Sequence, residues 1–468
     1  MALAASPFIG LTGCSRKLSA EFVIVGSGPA GIALADKLAQ AGKQVLVVEG
    51  GVREPRESLQ SMHAVEPGEW GLPYNVGWAT QRLLGGTTNL WQSHSPRPLA
   101  QEMASRTLRN FSEDWPLTLE TLTPWIAESE RWLSVRPAHP EMNPTLPRNP
   151  FIDRSVALNE LLINAGYEHI EAGAYGMVHQ EGLDALRLLE DGEIDRVAAL
   201  KTIALRPGTV ARKLRMVGRK VVGLDAADLD GNAIYIEAGT VIVCGGGVQT
   251  PRLLWLSGQG GQGLGNQSDW LGAGFMEHPG IQIYGHRDTP LLPEGMPETH
   301  MHVRDLLFDP ANNGFGASLL HIGLKKGQHN KEYTVVEALF EQAPDRSNRV
   351  RLGQGKDGLG DPLARMDFRL TDTDTTTIQH NYRLQHQLAS VIGHVDQTSK
   401  LRPGSHHLMG ATRMSADPAN GVVDTDLRVW GTDNLYVAGS STFPTAMTVP
   451  PTLVLVALAQ RLADHLSR

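Results

Sequence analysis

The sequence predicts a mixed α/β protein built on a parallel-sheet nucleotide unit, with further strand-rich sequence threaded around it. Three observations predict it. Residues 21–50 read as strand, glycine-rich turn, helix and strand within about 30 residues, a βαβ unit. Residues 196–245 and 283–395 carry strand patterns separated by turn signals. Residues 404–468 return to glycine-rich turns and close on an apolar helix that starts at Pro450-Pro451. A chain of 468 residues holds two or three domains, and no low-complexity tract or long linker separates them. The domains are therefore expected to be discontinuous.

Taken in order, the chain opens with MALAASPFIGLTGCSRK. The LTGC at 11–14 resembles a lipoprotein cleavage box. No Lys or Arg precedes the apolar run, and Pro7 and Gly10 break it. The segment reads as a loose extension, and the expected location is cytoplasmic. EFVIVG is then a buried strand, IALADKLAQAG a helix closed by Gly42, and KQVLVVEGG a second strand. Residues 52–190 are richer in Pro and Trp, with helical patches at 117–134 and 154–166. Residues 196–245 read as short strands turning at VGRK and DLDGN. A helical stretch near 376–393 ends the second strand-rich region, and no repeat of 20–50 residues is visible.

Composition excludes several classes. A net charge of −8 and a pI of about 6.1 argue against nucleic acid or an anionic membrane as the partner. Two cysteines, Cys14 and Cys244, build neither a disulfide framework nor a zinc site, and no metal is expected. No run of 18 apolar residues predicts a membrane span.

Gly26-Ser27-Gly28-Pro29-Ala30-Gly31 matches G-x-G-x-x-G. The pattern alone is weak, for it recurs at 258–263 and 353–358. Only the first copy follows a strand and opens a helix; the other two read as loops. The first glycine makes the turn, the second admits a pyrophosphate, and the third lets helix pack on strand. The helix N-terminus offers free N–H groups and a positive dipole end. Glu49, 23 residues after Gly26, ends the second strand. A carboxylate there accepts from ribose hydroxyls and repels a 2′-phosphate. The turn does not by itself decide between FAD and NAD.

Further stretches resemble the glucose–methanol–choline (GMC) oxidoreductases, FAD-dependent enzymes that mostly oxidise alcohols. They are Arg82-Leu83-Leu84-Gly85-Gly86-Thr87-Thr88-Asn89-Leu90-Trp91, DWPL at 114–117, VIVCGGGVQTPRLLWLSG at 241–258, GFMEHPG at 274–280, and NRVRLGQGKDGLGDPLARMDFRL at 348–370. The longest is HHLMGATRMSADPANGVVDTDLRVWGTDNLYVAGSSTFPTA at 406–446. The resemblance implies a p-hydroxybenzoate-hydroxylase-like architecture, in which a Rossmann-like FAD-binding domain is joined to an antiparallel-sheet substrate domain. On that basis residues 18–100, 195–282 and 400–468 are assigned to FAD binding, and 101–194 and 283–399 to the substrate domain. One FAD would serve both half-reactions; the sequence carries no second fingerprint for NAD(P)H.

The resemblance also assigns site residues. His407 matches the histidine of the family's H-x-x-G-T and is the expected base, taking a hydroxyl proton while hydride leaves for flavin N5. A ring with a pKa near neutral suits that role. His406 beside it points elsewhere on an extended segment and is assigned, with Pro450, to the substrate side. Gly26, Ser27, Gly28, Pro29, Ala30, Gly31, Glu49, Arg82, Gly85, Gly86, Thr87, Thr88, Asn89, Val210, Gly245, Gly439, Ser440, Pro450, Thr452 and Leu453 are expected at the cofactor.

Two departures stand out. The family's Asn-Pro before the final helix falls on Pro450-Pro451, so a polar side chain beside the base is missing. Leu90 occupies the position through which some relatives tether flavin, so FAD is expected to be non-covalent. Two readings follow. One is a flavoenzyme oxidising a hydroxyl of a sugar, glycoside, cyclitol or similar small alcohol, with oxygen or a quinone-like acceptor. The other is a repurposed relative doing non-redox or radical chemistry. His300, His302 and His321 lie on strand-like segments and read as packing or surface residues; His94 is not expected at the tether.

Overall fold

The computed structural model describes residues 16–70, 75–177, 186–327 and 331–468; LTGC and Cys14 lie outside them. The strands, in chain order, begin with β1 (Arg16–Val25), β2 (Val45–Val48), β3 (Ile170–Ala172), β4 (Ile203–Arg206), β5 (Val210–Val217), β6 (Lys220–Ala227) and β7 (Ala233–Val243). There follow β8 (Gly280–Arg287), β9 (Glu298–Val303), β10 (Ser318–Lys326), β11 (Glu332–Phe340), β12 (Arg349–Lys356), β13 (Pro362–Asp367), β14 (His394–Thr398) and β15 (Leu435–Val437). Five helices matter here: α1 (Pro29–Gln40), α2 (Leu119–Trp132), α3 (Gly246–Ser257), α4 (Asp372–Ile392) and α5 (Thr452–Ser467).

The first sheet has the order β4-β2-β1-β7-β6-β5, with β15 also on β7. Its centre is parallel. Val23, Ile24, Val47, Ile242 and Val243 are buried, because helices cover both faces of a parallel sheet. Helix α5 is buried along most of its length and lies against α1 and α2. Leu122 and Ile126 of α2 join the core of this first sheet, and Trp125 Nε1 donates to Asp464 at 2.7 Å. The sequence assignment had placed α2 with the substrate domain.

The second sheet is antiparallel, in the order β14-β8-β11-β10-β9-β3. Alternation gives it two unlike faces. Ile281, Ile283, Met301, Val303, Leu320, Ile322, Val336 and Ala338 form one apolar core with Leu388 and Ile392 of α4. The residues between them, Gln282, His300, His302, His321 and Glu337, turn to the other face. A third, small sheet joins Val65–Pro67 to β13 and β12.

Four local expectations change. Strand β1 begins at Arg16, not near 21, because its first residues pair with β7 from Arg16↔Ile234 onward. Residues 196–198 close a helix, Glu193–Ala198, rather than open a strand: Glu193 and Asp195 favour the helix start, and Arg196 reaches Asp36 at 2.6 Å. The glycine copy at 353–358 lies largely on β12, where Glu66 occupies the space beside Gly353 and Gly355. Helix α5 starts at Thr452, with Pro451 as its N-cap, so both prolines stand ahead of the first turn; the Pro451 carbonyl accepts from Leu455 N at 2.9 Å.

Candidate active site

One elongated cavity of about 640 Å³ runs from the glycine turn to the polar face of the second sheet. Its nucleotide end is built from main chain. Gly26 sits at φ +109, and a Cβ on Gly31 would stand 2.0 Å from the Gly26 carbonyl oxygen. A Cβ on Gly28 would meet no protein atom within 4 Å, so Gly28 opens onto the cavity. The two outer glycines serve the chain's own packing, and the middle one leaves room for a ligand.

Glu49 directly follows β2 on the cavity wall. Its carboxylate accepts from Ser27 N and Oγ, both at 2.9 Å, and from Gly51 N at 2.6 Å. Three of roughly four acceptor positions are filled, leaving room for a hydroxyl. Arg82 is half-buried on the same wall, and its buried Nε has no hydrogen-bond partner among the described residues. Burial pushes its pKa down to about 10. A half-buried guanidinium without a bonded carboxylate among the described residues is what an anionic phosphate would complete. Asn89 Oδ1 and Thr250 Oγ1 are likewise buried and unpartnered. The residues present therefore fit FAD.

The expected cofactor residues divide in two. Gly26, Gly28, Pro29, Ala30, Glu49, Arg82, Gly86, Thr87, Gly245, Gly439, Ser440, Pro450 and Thr452 line the cavity, as does Leu90. Ser27, Gly31, Gly85, Thr88, Asn89, Val210 and Leu453 stand behind its wall. Thr88 Oγ1 donates to Gly85 O at 2.7 Å, and Asn89 Nδ2 to Leu84 O and Gly86 O at 2.8 Å, so both hold the loop's shape. Thr209 and Ala211 line the cavity on either side of Val210, whose side chain lies beside Gly50. Leu453 is buried in the first core. Cys244 also lines the cavity, and burial pushes its thiol up to about 12, which keeps it neutral.

At the other end, His406 and His407 both face the cavity. They share it because the chain turns left-handed at His406, φ +67, instead of continuing extended. Glu277 Oε2 fixes this turn, accepting from Ser405 N at 3.1 Å and His407 N at 2.9 Å.

His407 Nδ1 lies 2.8 Å from Nδ1 of His278, a residue of the GFMEHPG stretch to which sequence reasoning gave no role. His278 Nε2 faces two carbonyls, Met447 O at 3.0 Å and Ala446 O at 3.3 Å. Carbonyls only accept, so Nε2 carries the His278 proton. Burial pushes the His278 pKa down to about 4, so the ring is neutral and its Nδ1 is a bare lone pair. It therefore accepts from His407 Nδ1–H. Burial, with His278 beside it, also holds the His407 pKa well below its ordinary value. Neutral His407 consequently presents a lone pair at Nε2. This tautomer follows from the hydrogen-bond network.

The 446–448 turn that supplies those carbonyls is itself gripped. Met447 is left-handed at φ +59, and Glu102 accepts from Thr448 N at 2.8 Å and Thr448 Oγ1 at 2.6 Å. Pro450 follows on the cavity wall and brings no polar side-chain atom.

The substrate-side histidines are assembled by strand register. Glu171, His302, His321, Glu337 and Gln282 stand opposite one another in turn across β3, β9, β10, β11 and β8. His94 packs on this row. It stacks on Tyr175 with ring centroids 5.0 Å apart, bonds His302 through Nε2, and lines the cavity. His300 Nδ1 lies 3.0 Å from His321 Nε2. Glu337 also reaches the cavity, held by Arg402 and by Gln282 Nε2 at 3.1 Å. His300, His302 and His321 thus belong to one largely buried polar cluster beneath the site, where the sequence reads them as packing or surface residues. The available signal was the alternation His300-x-His302 beside an apolar-alternating strand.

Comparison with known proteins completes the picture. GMC oxidoreductase sequence profiles match residues 195–280 and 344–459, and an FAD binding domain profile matches residues 21–61. The chain is 24% identical to the fructose dehydrogenase large subunit of Gluconobacter japonicus, over 96% of this chain and 98% of that one. It is 25% identical to 2-methyl-1,2-propanediol dehydrogenase of Mycolicibacterium austroafricanum, over 96% and 95%. The crystal structure of pyridoxine 4-oxidase from Mesorbium loti superposes with a TM-score of 0.68 at 18% identity, covering 95% of this chain and 99% of that one. Among the described residues no helix is long and apolar enough to cross a membrane. The chain belongs to the GMC oxidoreductases and is an FAD-dependent oxidoreductase.

Proposed function

We propose that the chain oxidises a hydroxyl group of a small polar molecule, a sugar, glycoside, cyclitol or similar alcohol, with His407 Nε2 as the base. The observation that carries this reading is the tautomer relay from the Ala446 and Met447 carbonyls through His278 to His407. It leaves a lone pair on the cavity wall, where a substrate hydroxyl can give up its proton. The relay also orients the ring, as the third member of a catalytic triad does in hydrolases.

FAD, when bound, supplies the two-electron acceptor for the hydride. The glycine turn and Arg82 would hold its phosphates, Glu49 its ribose, and the N-terminus of α5 would face its ring end through Thr452. Leu90 offers no tethering atom, in keeping with a non-covalent cofactor. The names of the relatives, one for a ketose and one for a small diol, support an alcohol substrate without narrowing it. Oxygen or a quinone-like compound is proposed as the acceptor.

Pro450 favours a second reading, in which the chain retains FAD but does non-redox or radical chemistry. Anaerobic mixing with a panel of sugars and alcohols separates the two. Loss of the flavin band at about 450 nm in wild type, and its slowing in His407→Ala, support the first reading. A band unchanged by every candidate sinks it.

A further inference from the structure

The face of the second sheet that meets the cavity is polar across five strands, and one of the side chains packed on it reaches the ligand space directly. His94 is that side chain. Its Nε2 is committed to His302 Nε2, so the direction of that one hydrogen bond decides what Nδ1 offers.

The direction is set from beneath. Arg304 is buried and donates through Nη2 to Glu102 at 2.6 Å and through Nη1 to Glu171 Oε1 at 3.3 Å. Burial works against an ionised Glu171, yet Arg304, His139 and His302 around it hold its pKa well below the usual carboxylate range. The carboxylate lies 3.5 Å from His302 Nδ1. Burial also pushes the His302 pKa down to about 4, leaving one N–H on that ring. The negative oxygen beside Nδ1 selects the Nδ1–H tautomer. His302 Nε2 is then a lone pair and accepts from His94 Nε2–H. His94 is neutral too, held well below its ordinary pKa by burial and the imidazoles around it. Its Nδ1 is accordingly bare.

The substrate end thus displays two imidazole lone pairs, His407 Nε2 and His94 Nδ1, beside the Glu337 carboxylate. All three accept and none donates. The side chain absent at Pro450 is not replaced like for like, since His94 in this state has no proton to give a substrate oxygen. It fits instead a second hydroxyl hydrogen.

We propose that His94 is the second substrate-binding residue of this cavity, and that it selects polyhydroxylated substrates by accepting a hydrogen bond from a hydroxyl other than the one deprotonated at His407. This rests on the alcohol-oxidation reading above.

The test uses the FAD-loaded full chain, with 1,2-propanediol against 1-propanol and glucose against 2-deoxyglucose as paired probes. Apparent affinity comes from the shift of the visible flavin spectrum on titration, and the rate from anaerobic bleaching. In wild type the hydroxyl-rich member of at least one pair binds about tenfold more tightly, the value of one neutral hydrogen bond. In His94→Phe that ratio falls towards one, with the change in affinity rather than in limiting rate, and His94→Gln recovers part of it. A ratio unchanged in His94→Phe, or an equal fall for both members of each pair, overturns the proposal. If binding shifts the spectrum but no probe bleaches wild-type flavin, the oxidation reading fails while the His94 assignment is still decided by the binding ratio. If no probe shifts the wild-type spectrum, the polyol assignment fails.

Discussion

The two ends of the cavity are made from different material. The nucleotide end is mostly main chain, a glycine turn and a helix start, with the Glu49 and Arg82 side chains beside them. The substrate end is side chain, with Glu171, His302, His321 and Glu337 drawn from four strands and a histidine pair drawn from loops 129 residues apart. Main-chain sites are written in consecutive letters. Side-chain sites are written in register, and register is a property of the sheet.

The comparison breaks most readily at the glycines. Gly31→Ala places a Cβ 2.0 Å from the Gly26 carbonyl, and the expected outcome is loss of bound FAD together with folded yield. Gly28→Ala meets nothing in the protein, so that variant should fold and melt like wild type yet lose flavin absorbance per mole of protein. Equal behaviour of the two would show that the turn's glycines serve one purpose rather than two.

At the substrate end the largest effect belongs to His407→Ala, which should slow anaerobic flavin reduction by about 10²–10⁴-fold while leaving the flavin spectrum in place. His278→Leu should slow the same step by about 10²-fold without emptying the cofactor site, because it removes the acceptor that fixes the His407 tautomer. Full activity in His278→Leu would mean the ring is oriented by something else.

A smaller effect reads the whole imidazole cluster. His278 and His302 have folded pKa values of about 4 against an ordinary 6.5, from burial. Below pH 6.5 the unfolded chain takes up protons that the folded chain refuses. Their contribution to stability is thus present above 6.5 and is lost as pH falls towards 4. Melting should drop by roughly 5–10 °C between pH 7.5 and 5, and by less in a His278→Leu/His302→Leu double variant. The smallest change is expected from Pro450→Asn: FAD retained, and oxidation of simple alcohols raised by about tenfold or less. Unchanged turnover there would indicate that the missing polar group is already supplied.

How much of this was legible in the letters follows the same division. The βαβ unit, the Glu49 position, the parallel sheet and the place of His407 could be read because each depends on neighbours in sequence. His278 was visible as part of a matching stretch, but its role depends on carbonyls at 446 and 447 that only folding delivers. His94 and the row beneath it were illegible: four strands had to be paired in the right register before one polar line appeared. The start of α5 was misplaced by one or two residues, since two prolines ahead of a helix look the same in sequence as two inside its first turn.

The order of the first sheet has a consequence for how the chain is made. β1 pairs with β7 more than 200 residues later, and β7 waits for β15 and α5 at the far end. The βαβ unit leaves the ribosome with an open strand edge and an uncovered apolar face; the edge is closed only when β7 emerges, and the face only when α5 does. Such long-range closure folds slowly and exposes the unfinished chain to aggregation. A chain stopped before Thr452 would lack both the helix that covers α1 and one wall of the cavity.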